Sequence, residues 1–553
     1  MSSAPPLASP RRSAGWLDVL FGIDARSLAC FRIGLGVLLL WDLYGRAKTL
    51  RVHYTGEGAF PRELAADLRP DSLLFHAFLW SDRFEVQAAL FVLFALVALG
   101  FALGWHTRLT SVLAFVLLAS LVRRNPYVCH TGDVLLKALS FWAMFLPLGA
   151  HFSLDRLRGR THPPAGARAL SLATAGVLLQ VAIFYLMAGY LKTRYEVWQR
   201  GEAVWIFTHV LEYTRPFGAW LGQFPALCRL LTFATLVLEC LAPFLLFFPF
   251  GTSWIRPLLC FTLAGFHLTL QSVIHIGIFQ MLCIVMLTLG LSREFWDALP
   301  RFIPSRLRHA LSGFRDGFVA RLGRHPRGGA PHPAQRWLGG AAHAFLVPVL
   351  AVILVSNLNS AVEDPYDPED RGVIHLPQWV DDYGRQMSLV QSWNMFTDIG
   401  SLFFGWFLVL AQQEDGTLVD VLERKPFGEL RLPEHYARFF PNHNSRRYWR
   451  NLTRKDGAGP FLERQQHAMC TYLAREWERA SGKRLVHMAL FHVGRVPAQK
   501  RARDQVKPIS VDWEAAHEPL KAAAPEVQRR WADLRARWAR FLESLPKSVP
   551  ASS

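Results

Sequence analysis

Long apolar runs separated by short polar connections fill the first two-thirds of the chain. A helix needs about 20 apolar residues to cross the hydrocarbon core of a bilayer, and a spanning helix satisfies its own backbone polar groups. The pattern therefore predicts an α-helical polytopic membrane protein with about nine transmembrane helices. The predicted spans lie near residues 27–46, 84–104, 109–123, 132–150, 169–192, 227–250, 255–273, 276–291 and 341–357.

The pattern changes after residue 357. The segment DPYDPED is typical of a linker, and beyond it the runs SLFFGWFLVLAQQ and TLVDVLE, separated by the turn signal EDG, predict a β-hairpin. A helix over 461–481, a strand in RLVHMALFHVGRV and an amphipathic helix over about 514–545 follow. We predict three parts, namely an N-terminal segment 1–26, a transmembrane domain 27–357 and an extramembrane mixed α/β domain 358–553.

Composition agrees with a membrane protein. Hydrophobic residues make up 51% of the chain and 40 residues are Phe, and the mean hydropathy is +0.17 in spite of the polar C-terminal part. The first apolar run begins only at Leu28 and lacks a small-residue cleavage site. We therefore expect this run to be retained as a membrane anchor.

The distribution of basic residues predicts the orientation. Arginine is concentrated in the connection 155–168 and in the loop 292–340, and basic loops favour the cytoplasmic side. We expect a cytoplasmic N-terminus, a cytoplasmic basic loop and a C-terminal domain outside, in the inner membrane of a bacterial cell. Arg123 and Arg194 would then lie on the outer side, against this tendency.

The net charge of +18 has a topological explanation, because much of it comes from loop arginines. Nothing resembles an aromatic-interleaved nucleic-acid surface, so nucleic acid is not an expected partner. The 7 cysteines form no CxxC pair, and no metal site is predicted. A bridge between Cys129 and Cys470 is conceivable.

Lys192 is the main chemical candidate. It ends the apolar run that begins near residue 169, beside Gly189 and Tyr190. A lysine at the end of a membrane helix commonly extends to the headgroups. An apolar pocket would instead favour its neutral amine and suit a lipid-soluble ligand.

Several motifs in the same order suggest a family. The strings RSLACFRIGLG, NPYVCHTGDVLLKALSFW, FYLMAGYLKTRYEVWQRGEAV, FHLTLQSVIHIGIFQMLCIVM and QSWNMF resemble segments of the vitamin K-dependent γ-glutamyl carboxylases and their bacterial relatives. These proteins form the horizontally transferred transmembrane (HTTM) domain family. The similarity runs from about Trp16 to Trp513.

The resemblance implies a specific chemistry. Lys192 is expected to deprotonate reduced vitamin K or a related quinol, and His130 to orient or stabilise the reacting species. Oxygenation of the quinol by O2 would give a strong base that removes a γ-proton from a glutamate of an exported peptide or protein, and CO2 would then be captured. The products would be γ-carboxyglutamate and the quinone epoxide. His267, Tyr190 and Phe266 are expected to bind the quinol.

The chain also departs from the carboxylase pattern. Val128 and Cys129 precede His130 where the animal enzymes have asparagine, so the local hydrogen bonds must differ. The chain stops soon after Trp513, without the further domains of the animal proteins, and this puts their propeptide-docking mode in doubt.

Structural roles remain open for the same residues. His130 lies near a helix start, where capping is common, and His267 can pack or hydrogen-bond between helices. Arg32 is expected to extend from its span to the headgroups, and the box from Trp393 to Phe396 to anchor at the interface.

A second function therefore stays open. The chain would then be a non-catalytic membrane protein that binds a ligand, assists maturation or partners a transporter. A charged relay across the membrane would favour transport, and Glu239 and Lys137 are the main other candidates, which could pair with each other.

Overall fold

Apolar helices dominate the chain up to residue 362, and strands occur mainly after it. A computed structural model describes residues 15–68, 75–161, 168–210, 213–302, 304–306, 333–362, 374–391, 393–397, 405–428, 439–452, 460–494, 503–508, 513–514, 525–544 and 548–550. The start of the predicted N-terminal segment and most of the basic loop 292–340 lie outside these residues.

The helical part is built from helices joined by short turns. Two short antiparallel strands, β1 (Ile23–Asp24) and β2 (Arg168–Ala169), pair with each other. They hold the start of the helix over 25–47 next to the start of the helix over 172–193. The helices are α1 (Trp16–Phe21), α2 (Ala25–Ala47), α3 (Leu50–Tyr54), α4 (Arg62–Asp67), α5 (Phe84–Leu103), α6 (Thr107–Arg124), α7 (Thr131–Ala143), α8 (Leu154–Leu157), α9 (Leu172–Thr193), α10 (Glu196–Gln199), α11 (Ala203–Phe207), α12 (Pro216–Leu221), α13 (Pro225–Leu246), α14 (Thr252–Val273), α15 (Phe279–Leu287), α16 (Arg293–Phe302) and α17 (Pro333–Val362).

Helices occur in all the predicted apolar segments, but they differ in length. Among the described residues, 5 helices are long and apolar enough to cross a membrane, namely α2, α5, α9, α13 and the part of α17 from Ala344 to Val362. Helix α7 has 13 residues and α15 has 9, or about 20 Å and 14 Å at 1.5 Å per residue, which is less than the hydrocarbon core. The protein is a helical membrane protein with five candidate spans, and the prediction of nine spans is not confirmed.

Local capping fixes where α9 begins. The Ser171 backbone N–H donates to Thr174 Oγ1 over 2.9 Å, and the Thr174 N–H donates to Ser171 Oγ over 3.2 Å. This reciprocal capping box satisfies backbone donors that the first helical turn leaves unpaired. From this start α9 runs for 22 residues, which places Lys192 in its last turn.

A close approach of two helices brings α13 to the same turn. A Cβ on Gly189 would lie 2.8 Å from Cys240 Sγ and 3.1 Å from Glu239 Cβ. Real Cβ atoms essentially never come this near a neighbour, so a larger residue would push the helices apart. The glycine therefore allows α9 to contact α13 beside Lys192.

Arg32 corrects one expectation. The side chain does not extend to the headgroups, because the residue is completely buried within the helical part. Its guanidinium donates to the carbonyl oxygens of Leu148 over 2.7 Å and His151 over 3.1 Å, and also to that of Phe152. A buried charge needs such partners, and Arg32 thereby holds the connection after α7 against α2.

The C-terminal part contains an antiparallel sheet between helices. Its strands pair in the order 425–426, 418–420, 405–413, 485–494, 503–508 and 548–550, and residues 513–514 pair with 485–494. The predicted hairpin is confirmed by the pairing of Leu410 with Asp420, and the predicted helix and strand over 461–494 are present. The elements are α18 (Gln378–Met387), β3 (Gly405–Gln413), β4 (Leu418–Asp420), β5 (Lys425–Pro426), α19 (His443–Asn451), α20 (Pro460–Ser481), β6 (Leu485–Gly494), β7 (Arg503–Pro508), β8 (Trp513–Glu514), α21 (Pro525–Ser544) and β9 (Ser548–Pro550).

Helices cover both faces of this sheet. The Phe407 ring packs 5.3 Å from the Trp449 ring of α19, and the His487 ring stacks 6.1 Å from the Trp538 ring of α21. Phe407 and His487 lie on opposite faces of paired strands. Helix α19 is thus sandwiched between the sheet and the helical part.

Candidate functional site

Lys192 is buried in an ion pair. Only 4% of its surface is exposed, and its Nζ donates to Glu239 Oε2 over 2.6 Å. The same nitrogen lies 5.3 Å from the ring centroid of Trp198. Lys192 therefore does not extend to the headgroups, and the amine and the carboxyl group can exchange one proton directly.

The suggested pairing of Glu239 with Lys137 is wrong. Glu239 contacts Lys192, whereas Lys137 Nζ donates to the carbonyl oxygen of Arg385 over 3.2 Å. Sequence spacing gives no measure of which of two distant lysines meets a carboxylate, because that depends on how α9 and α13 pack.

A second polar pair lies on the same helix. His267 of α14 is buried, and its Nε2 lies 2.9 Å from the hydroxyl oxygen of Tyr185, two turns before Lys192 on α9. His267 Nδ1 is also buried and has no hydrogen-bond partner among the described residues. This pair gives the site a phenol and an imidazole in addition to the amine and the carboxyl group.

Phe266 and Tyr190, the other residues predicted to bind the quinol, differ in burial and position. The Phe266 ring is half-buried and lies 5.1 Å from the His267 ring. The Tyr190 side chain is 42% exposed and lies on the opposite side of α9 from Lys192, since two helical residues are separated by about 200°. Phe266 thus lies next to His267, whereas Tyr190 faces away from Lys192.

His130 caps the start of α7. Its Nδ1 accepts the Gly132 N–H over 3.0 Å, while its own backbone N–H donates to Asp133 Oδ2 over 2.8 Å. Capping was the structural role left open by the sequence, and here the histidine side chain itself is the cap. One imidazole nitrogen is therefore occupied by the backbone.

A buried charge network supports this cap. Arg46 of α2 donates to Asp42 Oδ2 over 2.6 Å and to the Tyr54 hydroxyl over 2.9 Å, and it also pairs with Asp133. Each of these charged groups lies in the buried interior. Because Asp133 contacts both Arg46 and His130, the network fixes the position of the imidazole.

Three histidines from distant parts of the chain meet at this end of α7. The His443 ring of α19 lies 4.5 Å from the His130 ring and 6.4 Å from the His275 ring. The backbone passes close to them at Gly277, which has a φ of 72°. A Cβ there would lie 3.2 Å from His443 and 3.4 Å from His130, so both conformation and space favour glycine.

These histidines are held in their neutral form. Burial lowers the pKa of His443 well below its ordinary value, and the neighbouring His130 and Arg446 lower it further. Burial, with Arg446 and Arg215, lowers the pKa of His275 to about 4, and burial likewise lowers the pKa of His130. Neutral imidazoles can accept protons, although no group of His, Cys, Asp or Glu suited to a metal ion occurs in the described part of the chain.

Sequence reasoning missed the contribution of α19. Its side chains enter the end of the helical part, where Asn444 Nδ2 donates to the Val128 carbonyl oxygen over 3.1 Å and Tyr448 donates to that of Ala59 over 2.7 Å. Ser445 Oγ lies 3.0 Å from His53 Nε2. The available signal was the run NHNSRRYWRN, a polar helix whose side chains are nonetheless mostly buried.

Phe279 lies between the two histidine sites. Its ring centroid is 6.4 Å from that of His267, and a Cβ on Gly132, next to the capped start of α7, would be 3.6 Å from Phe279 Cβ. The two sites are therefore neighbours across one aromatic residue at the start of α15.

Trp393 does not anchor at an interface. The residue is completely buried, and its ring lies 4.9 Å from the Phe184 ring on α9. Trp393 therefore packs the segment after α18 onto α9.

The seven cysteines, including Cys129 and Cys470, are all free thiols.

Comparison with known proteins identifies the helical part. The family model of the HTTM domain matches residues 22–296. No curated protein and no solved structure matches the chain. The matched residues include His130, Lys192, Glu239 and His267 but end before α19, so the resemblance beyond residue 296 stays a prediction. The chain belongs to the HTTM domain family.

Proposed function

We propose that the chain is a membrane enzyme similar to the vitamin K-dependent γ-glutamyl carboxylases. It would couple oxygenation of a quinol to carboxylation of glutamate in an exported protein or peptide. The observation that carries the proposal is the Lys192 amine, buried in the membrane part and hydrogen-bonded to Glu239. The proposal places the protein in the inner membrane, with the N-terminus inside and the C-terminal part outside.

The residues around the amine suit a quinol ring. His267 Nδ1 is a buried nitrogen without a partner among the described residues, and the nearby Phe266 and Trp198 supply aromatic surface. A quinol has two hydroxyl groups on an apolar ring, so it needs polar partners within an apolar wall. When bound, reduced vitamin K or a related quinol, with O2 and CO2, would supply the oxidative chemistry that drives carboxylation.

Glu239 gives Lys192 a way to act as a base. A protonated amine cannot accept a proton, but the proton of Lys192 can pass to Glu239 Oε2 across the 2.6 Å hydrogen bond. The neutral amine then accepts a proton from a hydroxyl group placed beside it. Tyr185 holds His267 through their hydrogen bond, which orients the free Nδ1 for the same ligand.

His130 and His443 would act on the side of Phe279 that is away from His267. Their neutral imidazoles lie where α19 meets the helical part. We assign them to orienting and stabilising the reacting species.

The test is a paired assay on purified protein. Wild type, Lys192→Ala, Glu239→Gln and the exposed control Lys48→Ala are incubated with reduced vitamin K, labelled bicarbonate and a Glu-rich peptide, and both epoxide and peptide label are measured. We expect Lys192→Ala to lose at least about 100-fold of both products, since general-base catalysis contributes on this scale. Glu239→Gln should lose about tenfold or more, and Lys48→Ala should match wild type. Equal products from wild type and Lys192→Ala would remove Lys192 from the mechanism.

A non-catalytic function is the second candidate. The specific observation in its favour is that His130 and Lys192 both have structural partners, a helix start and a carboxylate. A binding or maturation protein would need these groups only for stability. Binding of a quinol to wild type without any epoxide or peptide label would favour this function.

A further inference from the structure

A cavity of about 620 Å³ lies between the helical part and the C-terminal part. Helices α4, α6 and α7 of the helical part and α18, α19 and α20 of the C-terminal part contribute to its lining. The volume falls within the range of about 300–1,000 Å³ that is usual for small-molecule sites. Lys192, Glu239 and His267 do not line it, so this cavity is separate from the site of the proposed carboxylation.

The lining is positively charged. Its described residues include no carboxylate and four cationic side chains, namely Arg123, Lys137, Arg385 and Arg447. Lys137 is only 7% exposed, and its Nζ donates to the Arg385 carbonyl oxygen over 3.2 Å. Asp381 pairs with Arg385 from outside the lining, and Asp133, one turn before Lys137, pairs with Arg46. The cavity therefore keeps an excess of positive charge, which favours an anionic ligand.

The cationic groups come from both parts of the chain. Arg123 of α6 donates to Gln386 Oε1 of α18 over 3.3 Å, Lys137 belongs to α7 and Arg447 to α19. Guanidinium groups recognise carboxylate and phosphate oxygens through paired hydrogen bonds, and an ammonium group adds a point charge. An oxyanion is therefore the charged group that this lining suits.

The rest of the lining is largely apolar and aromatic. The Tyr127 and Phe461 rings stack with their centroids 5.8 Å apart and an interplanar angle of 19°, and Leu68, Phe75 and Val122 also line the cavity. An inorganic ion would use only the cationic groups, whereas an organic body also removes this apolar surface from water. The lining thus suits an oxyanion that is carried on an apolar or aromatic body.

The position of the cavity favours a soluble ligand over a membrane lipid. On α6 the exposed apolar face ends at Val116, which is 36% exposed. Nearer the cavity, Ala119 is 3% exposed, and Ser120 is completely buried and accepts the Phe78 N–H over 2.9 Å. The lipid-facing surface of α6 therefore does not continue into the cavity, and an acyl chain has no path along this helix.

We propose that the cavity binds a small soluble organic anion, in which a carboxylate or phosphate group is carried on an apolar or aromatic body. The oxyanion contacts the basic side chains, and the body packs against the aromatic wall. An acidic peptide shares the charge but lacks the apolar body, and this difference separates the two kinds of ligand.

The test uses the full chain, purified in detergent, and measures binding rather than activity. Calorimetry compares naphthoate, naphthyl phosphate, neutral naphthamide, acetate, inorganic phosphate and tetraglutamate. We expect one or both naphthyl anions to bind at least about tenfold more tightly than naphthamide, which lacks the charge, and than acetate or phosphate, which lack the ring. The tighter naphthyl anion identifies the oxyanion, and it should raise the unfolding temperature.

Two variants separate the contribution of charge from that of shape. Arg447→Gln removes one cationic group and should weaken binding of the naphthyl anion about tenfold, while Arg83→Gln, an exposed arginine before α5, should leave it unchanged. Ala119→Leu keeps every cationic group but fills part of the cavity, and it should weaken binding several-fold. Unfolding temperatures without ligand show that each variant is folded, and Ala119→Leu covers the case in which Arg447→Gln is not.

Three results would overturn the proposal. Equal affinity for the naphthyl anions and naphthamide would show that the charge is not recognised. Tetraglutamate that binds as tightly as the naphthyl anions would show a site for acidic peptides. Absence of binding by either naphthyl anion, or unchanged binding in Ala119→Leu, would show that the cavity is not the site.

Discussion

Two buried cationic side chains of the membrane part, Lys192 and Arg46, are each paired with specific carboxylates. Lys192 pairs with Glu239, Arg46 pairs with Asp42 and Asp133, and these groups are almost fully removed from solvent. Removing one partner of such a pair leaves an uncompensated charge in a medium of low polarity. Activity losses in single variants must therefore be separated from losses of stability.

A double-variant cycle makes this separation. Lys192→Ala should destabilise the protein by about 3–5 kcal/mol, because Glu239 is left buried and unpaired. Lys192→Ala with Glu239→Ala should recover much of this loss, since no buried charge remains. Thermal unfolding of the detergent-solubilised protein measures both. A double variant less stable than the single variant would contradict a direct pairing.

Helix α19 and the turn before α15 hold the C-terminal part against the membrane helices. Helix α19 contributes a ring to the histidine cluster and donates hydrogen bonds to carbonyl oxygens in two connections of the helical part, Val128 between α6 and α7 and Ala59 between α3 and α4. The turn reaches the same place through Gly277, whose φ is positive. These contacts depend on exact backbone positions rather than on hydrophobic area.

Two glycine variants test this dependence. Gly277→Ala should destabilise the protein by about 1–3 kcal/mol, because it combines left-handed strain with contacts of 3.2 and 3.4 Å to two histidines. Gly265→Ala is the matched control, since its Cβ would meet nothing within 4 Å on α14. Alanine there should stabilise by about 0.5–1 kcal/mol through helix propensity. Equal unfolding temperatures for the two variants would argue against the close approach at Gly277.

Neutral buried histidines lie where the two parts of the chain meet. His443 lies in the C-terminal part, whereas His130 and His275 belong to the helical part. Charged neighbours of the cluster include Arg446 and Arg447 of α19 and Arg215, whose Nη2 is 2.9 Å from His275 Nδ1. Asp133, next to His130, acts in the opposite direction and raises the pKa of that imidazole. All three arginines oppose protonation of the cluster.

The cluster predicts a loss of stability in acid. The folded-state pKa of His275 is lowered to about 4, below an ordinary unfolded value of about 6.5. The unfolded chain therefore binds more protons between these values, and the stability present above about pH 6.5 is lost as the pH falls towards 4. For His275 alone the loss between pH 7 and pH 5 is roughly 2 kcal/mol. Unfolding temperatures measured across this range give the slope.

Two variants test whether the histidine cluster causes this dependence of the unfolding temperature on pH. His443→Gln removes one of the buried imidazoles and should flatten the dependence on pH, whereas His467→Gln, at an exposed position of α20, should keep it. Limited proteolysis at pH 5 should cut between the helical and C-terminal parts sooner than at pH 7. Parallel pH curves for wild type and His443→Gln would exclude His443 as a source of the effect.

The sequence by itself determined the class of the protein and several of its elements. Apolar runs of about 20 residues have few alternatives to membrane helices, and α2, α5, α9, α13 and α17 appear where the pattern predicts them. The hairpin around the EDG turn and the helix that begins at Pro460 are equally local features. The motifs around His130 and Lys192 also indicated the HTTM domain, which the family comparison shows.

Only the tertiary structure decided which side chains meet. The pairing of Lys192 with Glu239, the burial of Arg32 and Trp393, and the meeting of His130 with His443 all join residues far apart in the chain. Such contacts depend on helix crossing angles and on close approaches, as at Gly189, which hydrophobic periodicity does not encode. A periodic pattern records which face of a helix is apolar, whereas the partner of a buried charge is set by the packing of the helices around it.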